Sequence, residues 1–151
     1  MSREILFRGK TDKNDNWIYG SLNNTDHQFP EIMYCDKNWN VCSTSIKPET
    51  IGQYTGLTDK NGTKIFEGDI VLTQEYSTRP FAKNAKRKRL VGVVEYYEQK
   101  HYGKNVIYNN GYRVKIKNQG KYTCGAWSDF YDCEIIGSIY DNPELLQGEE
   151  V

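Results

Sequence analysis

No stretch of this chain keeps its apolar residues at helical spacing; short β-branched and aromatic runs recur instead, each closed by Gly, Asn or Asp. That punctuation constrains the fold more than any other feature, because runs this short reach a core only as strands of a shared sheet. Ile5-Leu6-Phe7 and Trp17-Ile18-Tyr19-Gly20-Ser21-Leu22 flank a polar turn, Thr11-Asp12-Lys13-Asn14-Asp15-Asn16, and predict a hairpin. Glu31-Ile32-Met33-Tyr34-Cys35 and Trp39-Asn40-Val41-Cys42 predict a second, around Asp36-Lys37-Asn38. Thr50-Ile51-Gly52-Gln53-Tyr54 reads as a further strand.

Downstream, Asn61-Gly62 supplies the two positive-φ positions of a tight hairpin, and Glu67-Gly68-Asp69 turns into the strand Ile70-Val71-Leu72-Thr73. Leu90-Val91-Gly92-Val93-Val94-Glu95-Tyr96-Tyr97 is the clearest strand of all. Tyr112-Arg113-Val114-Lys115-Ile116-Lys117 alternates bulky with basic residues, which predicts one buried face and one solvated, cationic face. Cys133-Glu134-Ile135-Ile136-Gly137-Ser138-Ile139-Tyr140 is the last strand. Asn142-Pro143-Glu144 then opens a short helical turn that lays Leu145 and Leu146 over an open end of the sheet.

Only 37% of the 151 residues are hydrophobic, a level that a disordered chain could share. Twelve Tyr, five Phe and three Trp argue for a folded one, since these rings suit half-buried strand surfaces. Twenty basic and twenty acidic side chains cancel, so overall charge draws the chain toward neither nucleic acid nor anionic membrane. Residues 1–8 lack the apolar stretch of a signal peptide, and no apolar run approaches the roughly 18 residues of a membrane span. The expectation is a cytoplasmic protein, made and kept in a bacterial host cell, with four cysteines as thiols.

Three ordered blocks resemble the YopX-type phage and prophage proteins. The central one is Tyr54-Thr55-Gly56-Leu57, Asp59-Lys60-Asn61-Gly62 and Ile65-Phe66-Glu67-Gly68-Asp69-Ile70-Val71. The closing one is Ile135-Ile136-Gly137-Ser138-Ile139-Tyr140-Asp141-Asn142-Pro143-Glu144-Leu145-Leu146. The opening one is Arg3-Glu4-Ile5-Leu6-Phe7-Arg8-Gly9-Lys10 with Trp17-Ile18-Tyr19-Gly20-Ser21-Leu22. The resemblance implies an all-β protein with an SH3-like barrel in its C-terminal part, a phage or prophage origin and self-association. It implies no activity, and the loops at 75–89 and 98–130 inherit nothing from it. The expected division is a β-hairpin region over residues 1–53 and the SH3-like barrel over 54–151.

Candidate chemistry is sparse. Cys35 and Cys42 are six residues apart in the gap between them, Cys124 and Cys133 eight, and His27 and His101 are the only histidines. Zinc ligands usually come in tighter pairs; Cys35 and Cys42 would face each other across a hairpin, and core packing is the expectation for the thiols. The Asp12–Asn16 turn lacks the Gly and Glu of a calcium loop, whose positions fall here on Trp17 and Asn23. Glu67 with Asp69, and His101 near Glu95 and Glu98, are the only acid–base candidates, and turn chemistry already accounts for the first pair.

The sharpest feature is a basic run holding Arg79, Lys83, Lys86, Arg87, Lys88 and Arg89 and no acid. Such an arm neutralises phosphates without reading sequence. Arg113, Lys115, Lys117 and Lys121, with Tyr112 and Tyr122, would extend it as a stacking, cationic surface. The plainer reading is a solvated hairpin tip whose charges discourage edge pairing. The expectation is therefore a non-enzymatic accessory protein, homo-oligomeric, without cofactor or metal, acting by macromolecular binding; the alternative is a nucleic-acid-binding module using the 79–89 loop.

Overall fold

The computed structural model describes residues 4–24, 29–73, 76–77, 87–98, 110–116, 130 and 132–147. It is all-β, with antiparallel sheets and two short 3₁₀ turns, and it divides into two compact units, Met1–Gly56 and Leu57–Val151. The division falls at Gly56, three residues beyond the expected end of the N-terminal region.

In the first unit, β1 (Phe7–Lys10), β2 (Trp17–Asn23), β3 (Glu31–Cys35), β4 (Val41–Ser45) and β5 (Gly52–Thr58) lie in the order β4-β3-β2-β1-β5. The expected first hairpin forms, with Phe7 opposite Gly20 and Lys10 opposite Trp17. Its turn is closed within itself, because Thr11 N–H donates to the Asn16 carbonyl at 3.0 Å and Asp15 takes a left-handed φ of 57°. Lys47 holds the turn from outside through Asp15 at 2.5 Å.

β2 changes partner midway. Its residues up to Gly20 pair with β1, and from Ser21 onward they pair with β3. The sheet then rolls: Ile46, just past β4, bridges to Thr11, and Lys47 N–H donates to the Lys10 carbonyl at 2.8 Å. Ile46 is thereby driven into the interior with Ile32, both fully buried. On the other side of β1, Arg8 and Lys10 are buried with their cationic ends over the Trp17 ring, at 4.4 and 5.6 Å from its centroid.

The second unit contains β6 (Lys64–Phe66), β7 (Asp69–Leu72), β8 (Tyr76–Ser77), β9 (Arg87–Lys88), β10 (Val91–Glu98), β11 (Asn110–Ile116) and β12 (Glu134–Ser138). Four of them form a sheet in the order β11-β10-β7-β12, and β8 pairs with β9 as a separate ribbon. Among the described residues this sheet is open, with β11 and β12 at its ends, so the expected closed barrel is seen only as a four-stranded sheet. The alternation predicted for β11 is present: Tyr112, Val114 and Ile116 are buried, while Arg113 and Lys115 lie on the opposite face. Those three residues pack with Ile65, Val71, Val94, Phe130 and Cys133 into one core. The Pro143–Leu146 3₁₀ turn lies against β10, with Leu145 and Leu146 partly covered.

The turn from β5 into β6 differs from the expected tight hairpin. Only Gly62 has positive φ, at 82°. Gly62 N–H donates to the Asp59 carbonyl at 3.0 Å and Asp59 N–H to the Thr63 carbonyl at 2.8 Å, a turn followed by a Gly bulge. The Asp59 side chain fixes it. Its Oδ1 accepts from Asn61 N–H and Thr63 N–H, both at 2.9 Å, and its Oδ2 accepts from Asn61 Nδ2 at 3.4 Å and from Ile135 N–H at 3.3 Å. One carboxylate thus ties this turn to β12. Lys60 adds a second tie, from its N–H to the Cys133 carbonyl at 2.9 Å and from its Nζ to Glu134 at 2.5 Å.

Candidate binding surface

Of the basic run, Arg79, Lys83 and Lys86 lie outside the described residues. Arg87 and Lys88 form β9, opposite Ser77 and Tyr76. Arg89 is placed differently from its neighbours. Its Nε donates to the Thr73 carbonyl at 2.8 Å and its Nη2 to the Asp132 carbonyl at 3.0 Å, with Nη1 3.9 Å from Glu134. Thr73 and Leu90 close the same corner through Thr73 N–H to Leu90 O at 2.8 Å and Leu90 N–H to Thr73 Oγ1 at 3.0 Å. The Arg89 guanidinium therefore holds the entry to β10 and is spent on the fold.

The cations of β11 are likewise engaged. Arg113 donates Nε and Nη2 to one oxygen of Glu95, at 2.8 and 2.5 Å, while its guanidinium carbon stacks 3.7 Å from the centroid of Tyr97. Lys115 Nζ lies 3.6 Å from the other oxygen. Tyr112 cannot serve as a stacking platform, because the alternation that exposes Arg113 buries Tyr112, edge-on to Tyr96 with ring centroids 5.4 Å apart. Lys117, Lys121 and Tyr122 lie outside the described residues.

Asp69 is buried, and its carboxylate accepts from Phe66 N–H at 2.7 Å, which fixes the turn between β6 and β7. Glu95 is committed to Arg113, and His101 is outside the described residues. Cys35 and Cys42 do not converge, and Cys124 and His27 lie outside the described residues. Register places Tyr34 opposite Cys42 and Cys35 opposite Val41, so Cys35 and Cys42 project to opposite faces of the sheet. Among the described residues no group of three His, Cys, Asp or Glu side chains could hold a metal ion. No helix among them is long and apolar enough to cross a membrane.

Cys35 is exposed, whereas Cys133 is fully buried, its thiol pushed up to about 11 by burial and then by the Asp59 charge. Since the thiolate is the reacting form, a maleimide at neutral pH is expected to label Cys35 within minutes and to reach Cys133 only after unfolding. Peptide mapping of the labelled native protein checks this, and early label at Cys133 would contradict the packing.

What the first unit does present is an apolar face. Cross-strand register sets Ser21 beside Met33, Met33 beside Ser43, and Cys35 beside Val41; Tyr19 precedes Ser21 by two residues on the same side. Tyr19 is 46% exposed, Met33 41% and Val41 70%, and the side chains between them are mainly Ser. At the tip beyond, Trp39 is 86% exposed and has a φ of 65°, a left-handed conformation that is costly for a bulky residue.

Asp36 holds that tip rigid. Its carboxylate accepts from Asn38 N–H at 2.7 Å, Asn40 N–H at 2.9 Å and Asn40 Nδ2 at 3.1 Å, while Trp39 N–H donates to the Asp36 carbonyl at 3.0 Å. Those bonds from Asn40 and Asn38 keep the Asp36 carboxyl below its ordinary value. Trp39 is therefore a turn residue rather than the strand residue expected. An Asp followed at two and four positions by Asn was the signal for such a side-chain-bonded turn.

None of the curated proteins matches the chain. Among solved structures, the crystal structure of protein EF1440 from Enterococcus faecalis aligns over 96% of this chain and 99% of its own, at 21% identity and a TM-score of 0.48. The family described as YopX protein matches residues 6–147, nearly the whole length, and the chain belongs to that family.

Proposed function

We propose that this protein is a non-enzymatic accessory protein of phage or prophage origin, cytoplasmic, which works by binding macromolecules and first of all copies of itself. The second unit serves in this reading as an SH3-like scaffold, and the first unit carries the contact. One observation supports the assignment above the others. Among the described residues, Ile5, Tyr19, Phe29, Met33, Trp39 and Val41 of the first unit are large, apolar and exposed, against Tyr96 alone in the second. Of these, Tyr19, Met33 and Val41 share one face of the sheet; exposed apolar side chains so grouped favour association, and Trp is a residue type that anchors interfaces.

Light scattering at tens of micromolar is expected to give a dimer or larger species. A charge placed at the centre of the face, Met33→Glu or Val41→Lys, is expected to weaken association by about thirtyfold, the cost of burying an unpaired charge at a partly relaxed site. A wild-type monomer, or charge variants that associate as the wild type does, would end this reading. The nucleic-acid alternative predicts a low-salt gel shift abolished by replacing Lys86, Arg87 and Lys88 with Ala. Arg89 is left intact in that variant because its guanidinium ties β10 to Thr73 and Asp132.

A further inference from the structure

The turn at Asp59–Thr63 brings together the atoms of a spontaneous covalent reaction and holds them apart. Asn61 and Gly62 are both exposed, and a Cβ built on Gly62 would meet nothing within 4 Å, so the space beside the glycine is open and it adds no side chain of its own to hinder attack. In an Asn-Gly pair, that nitrogen can lose its proton to solvent and attack Asn61 Cγ. The N–Cγ bond forms, the Cγ–Nδ2 bond breaks, and Nδ2 takes up a proton and leaves as ammonia. Water then opens the resulting cyclic imide at one carbonyl or the other, which gives aspartate or isoaspartate.

Here the attacking and the leaving nitrogen are both bonded to one residue. Gly62 N–H donates to the Asp59 main-chain carbonyl at 3.0 Å, and Asn61 Nδ2 donates to the Asp59 carboxylate at 3.4 Å. Asn61 N–H, bonded to the same carboxylate at 2.9 Å, and Gly62 N–H together fix the main chain on both sides of that residue, so the backbone does not turn to present the Gly62 nitrogen to Cγ. We infer that Asn61 is a latent deamidation site, held shut by Asp59 while the turn is folded and exposed to reaction when the turn opens.

The reaction also removes the lock. The product replaces the Nδ2 donor with a carboxylate oxygen, so the bond to Asp59 is lost and like charges repel across the turn. Asp59 does not readily escape by taking a proton: although burial raises its carboxyl, the N–H bonds from Thr63, Ile135 and Asn61 outweigh this and hold it below its ordinary value. Isoaspartate adds a backbone methylene as well, which breaks the spacing that lets Asp59 N–H reach the Thr63 carbonyl. Once converted, the turn does not return to its native bonds, so the mark records that the chain has opened there.

The full chain is aged in warm, mildly alkaline buffer, folded in one arm and in guanidinium in the other, and proteolytic peptides are scored for the one-dalton gain at Asn61. Conversion is expected to be at least tenfold slower in the folded arm, as a local opening free energy of about 1.4 kcal/mol or more requires. Asn61→Asp, made directly, is expected to melt below the wild type, and Asn61→Ser, which keeps the main-chain donor and adds no charge, to melt between them. Equal rates in the two arms, no conversion in guanidinium, or an Asn61→Asp variant as stable as Asn61→Ser would overturn the inference.

Discussion

Replacing Asp59 by Ala is expected to lower stability by about 3 kcal/mol, more than any other single polar truncation in the described residues, because three main-chain donors lose their acceptor at once. The side chain is only 6% exposed and takes the N–H groups of Asn61, Thr63 and Ile135, the last of them 76 positions away. A hydrogen bond to a charged acceptor is worth about 1.5–3 kcal/mol, and water entering the partly open turn recovers some of the total. The loss is shared by two places in the chain, since the bond to Ile135 N–H fastens the start of β12.

The same carboxylate sets a pH dependence whose sign follows from its depressed folded value. Burial opposes the charge, but the N–H bonds from Thr63, Ile135 and Asn61 prevail, so the folded state holds its proton less tightly than the unfolded chain does. The stabilisation is complete above the unfolded value of 3.8 and disappears as pH falls through the lower folded one. Guanidinium unfolding of wild type and Asp59→Ala at neutral pH and again in acid should show the gap narrowing in acid. A neutral-pH gap under about 1 kcal/mol would mean that water replaces the carboxylate at no cost.

The strands were legible because their signal is local. Residues alternating along β11 report which side is wet, so Tyr112, Val114 and Ile116 could be assigned to the core from spacing alone. Treating Tyr112 as a stacking residue ignored that same spacing. Turn residues likewise marked where β1 gives way to β2 and β6 to β7. What local pattern could not supply was register. Whether Cys35 meets Cys42 or Val41 depends on how many residues the turn consumes, and a side-chain-bonded turn running to Asn40 moved the pairing by one.

Partners far apart in sequence were hidden for a different reason. Arg89 is one cation among six by composition, and only the fold brings the Thr73 and Asp132 carbonyls to it. Asp59 looked like a turn residue, which it is, and nothing near it in sequence announces Ile135. The apolar face of the first unit was half visible: its aromatic residues suggested contact, but the grouping of Tyr19, Met33 and Val41 on one side requires three strands in register.

That grouping rests on Gly20, and Gly20→Ala is expected to cost about 3 kcal/mol. At this residue β2 leaves β1 and takes up β3, and a Cβ there would lie 2.1 Å from the Met33 carbonyl oxygen and 2.9 Å from its carbon. A flexible side chain could swing clear, but these are backbone atoms of the neighbouring strand, so relief requires β2 and β3 to part. Parting them loosens the pairs Ser21–Met33 and Leu22–Ile32, draws Ile32 from the interior and breaks up the face to which Met33 belongs. Hydrogen exchange should therefore quicken first in β2 beyond Gly20 and along β3, with association weakened in step. Should Gly20→Ala melt within about 2 °C of the wild type with exchange unchanged in those strands, the close approach at Met33 is not what fixes this register.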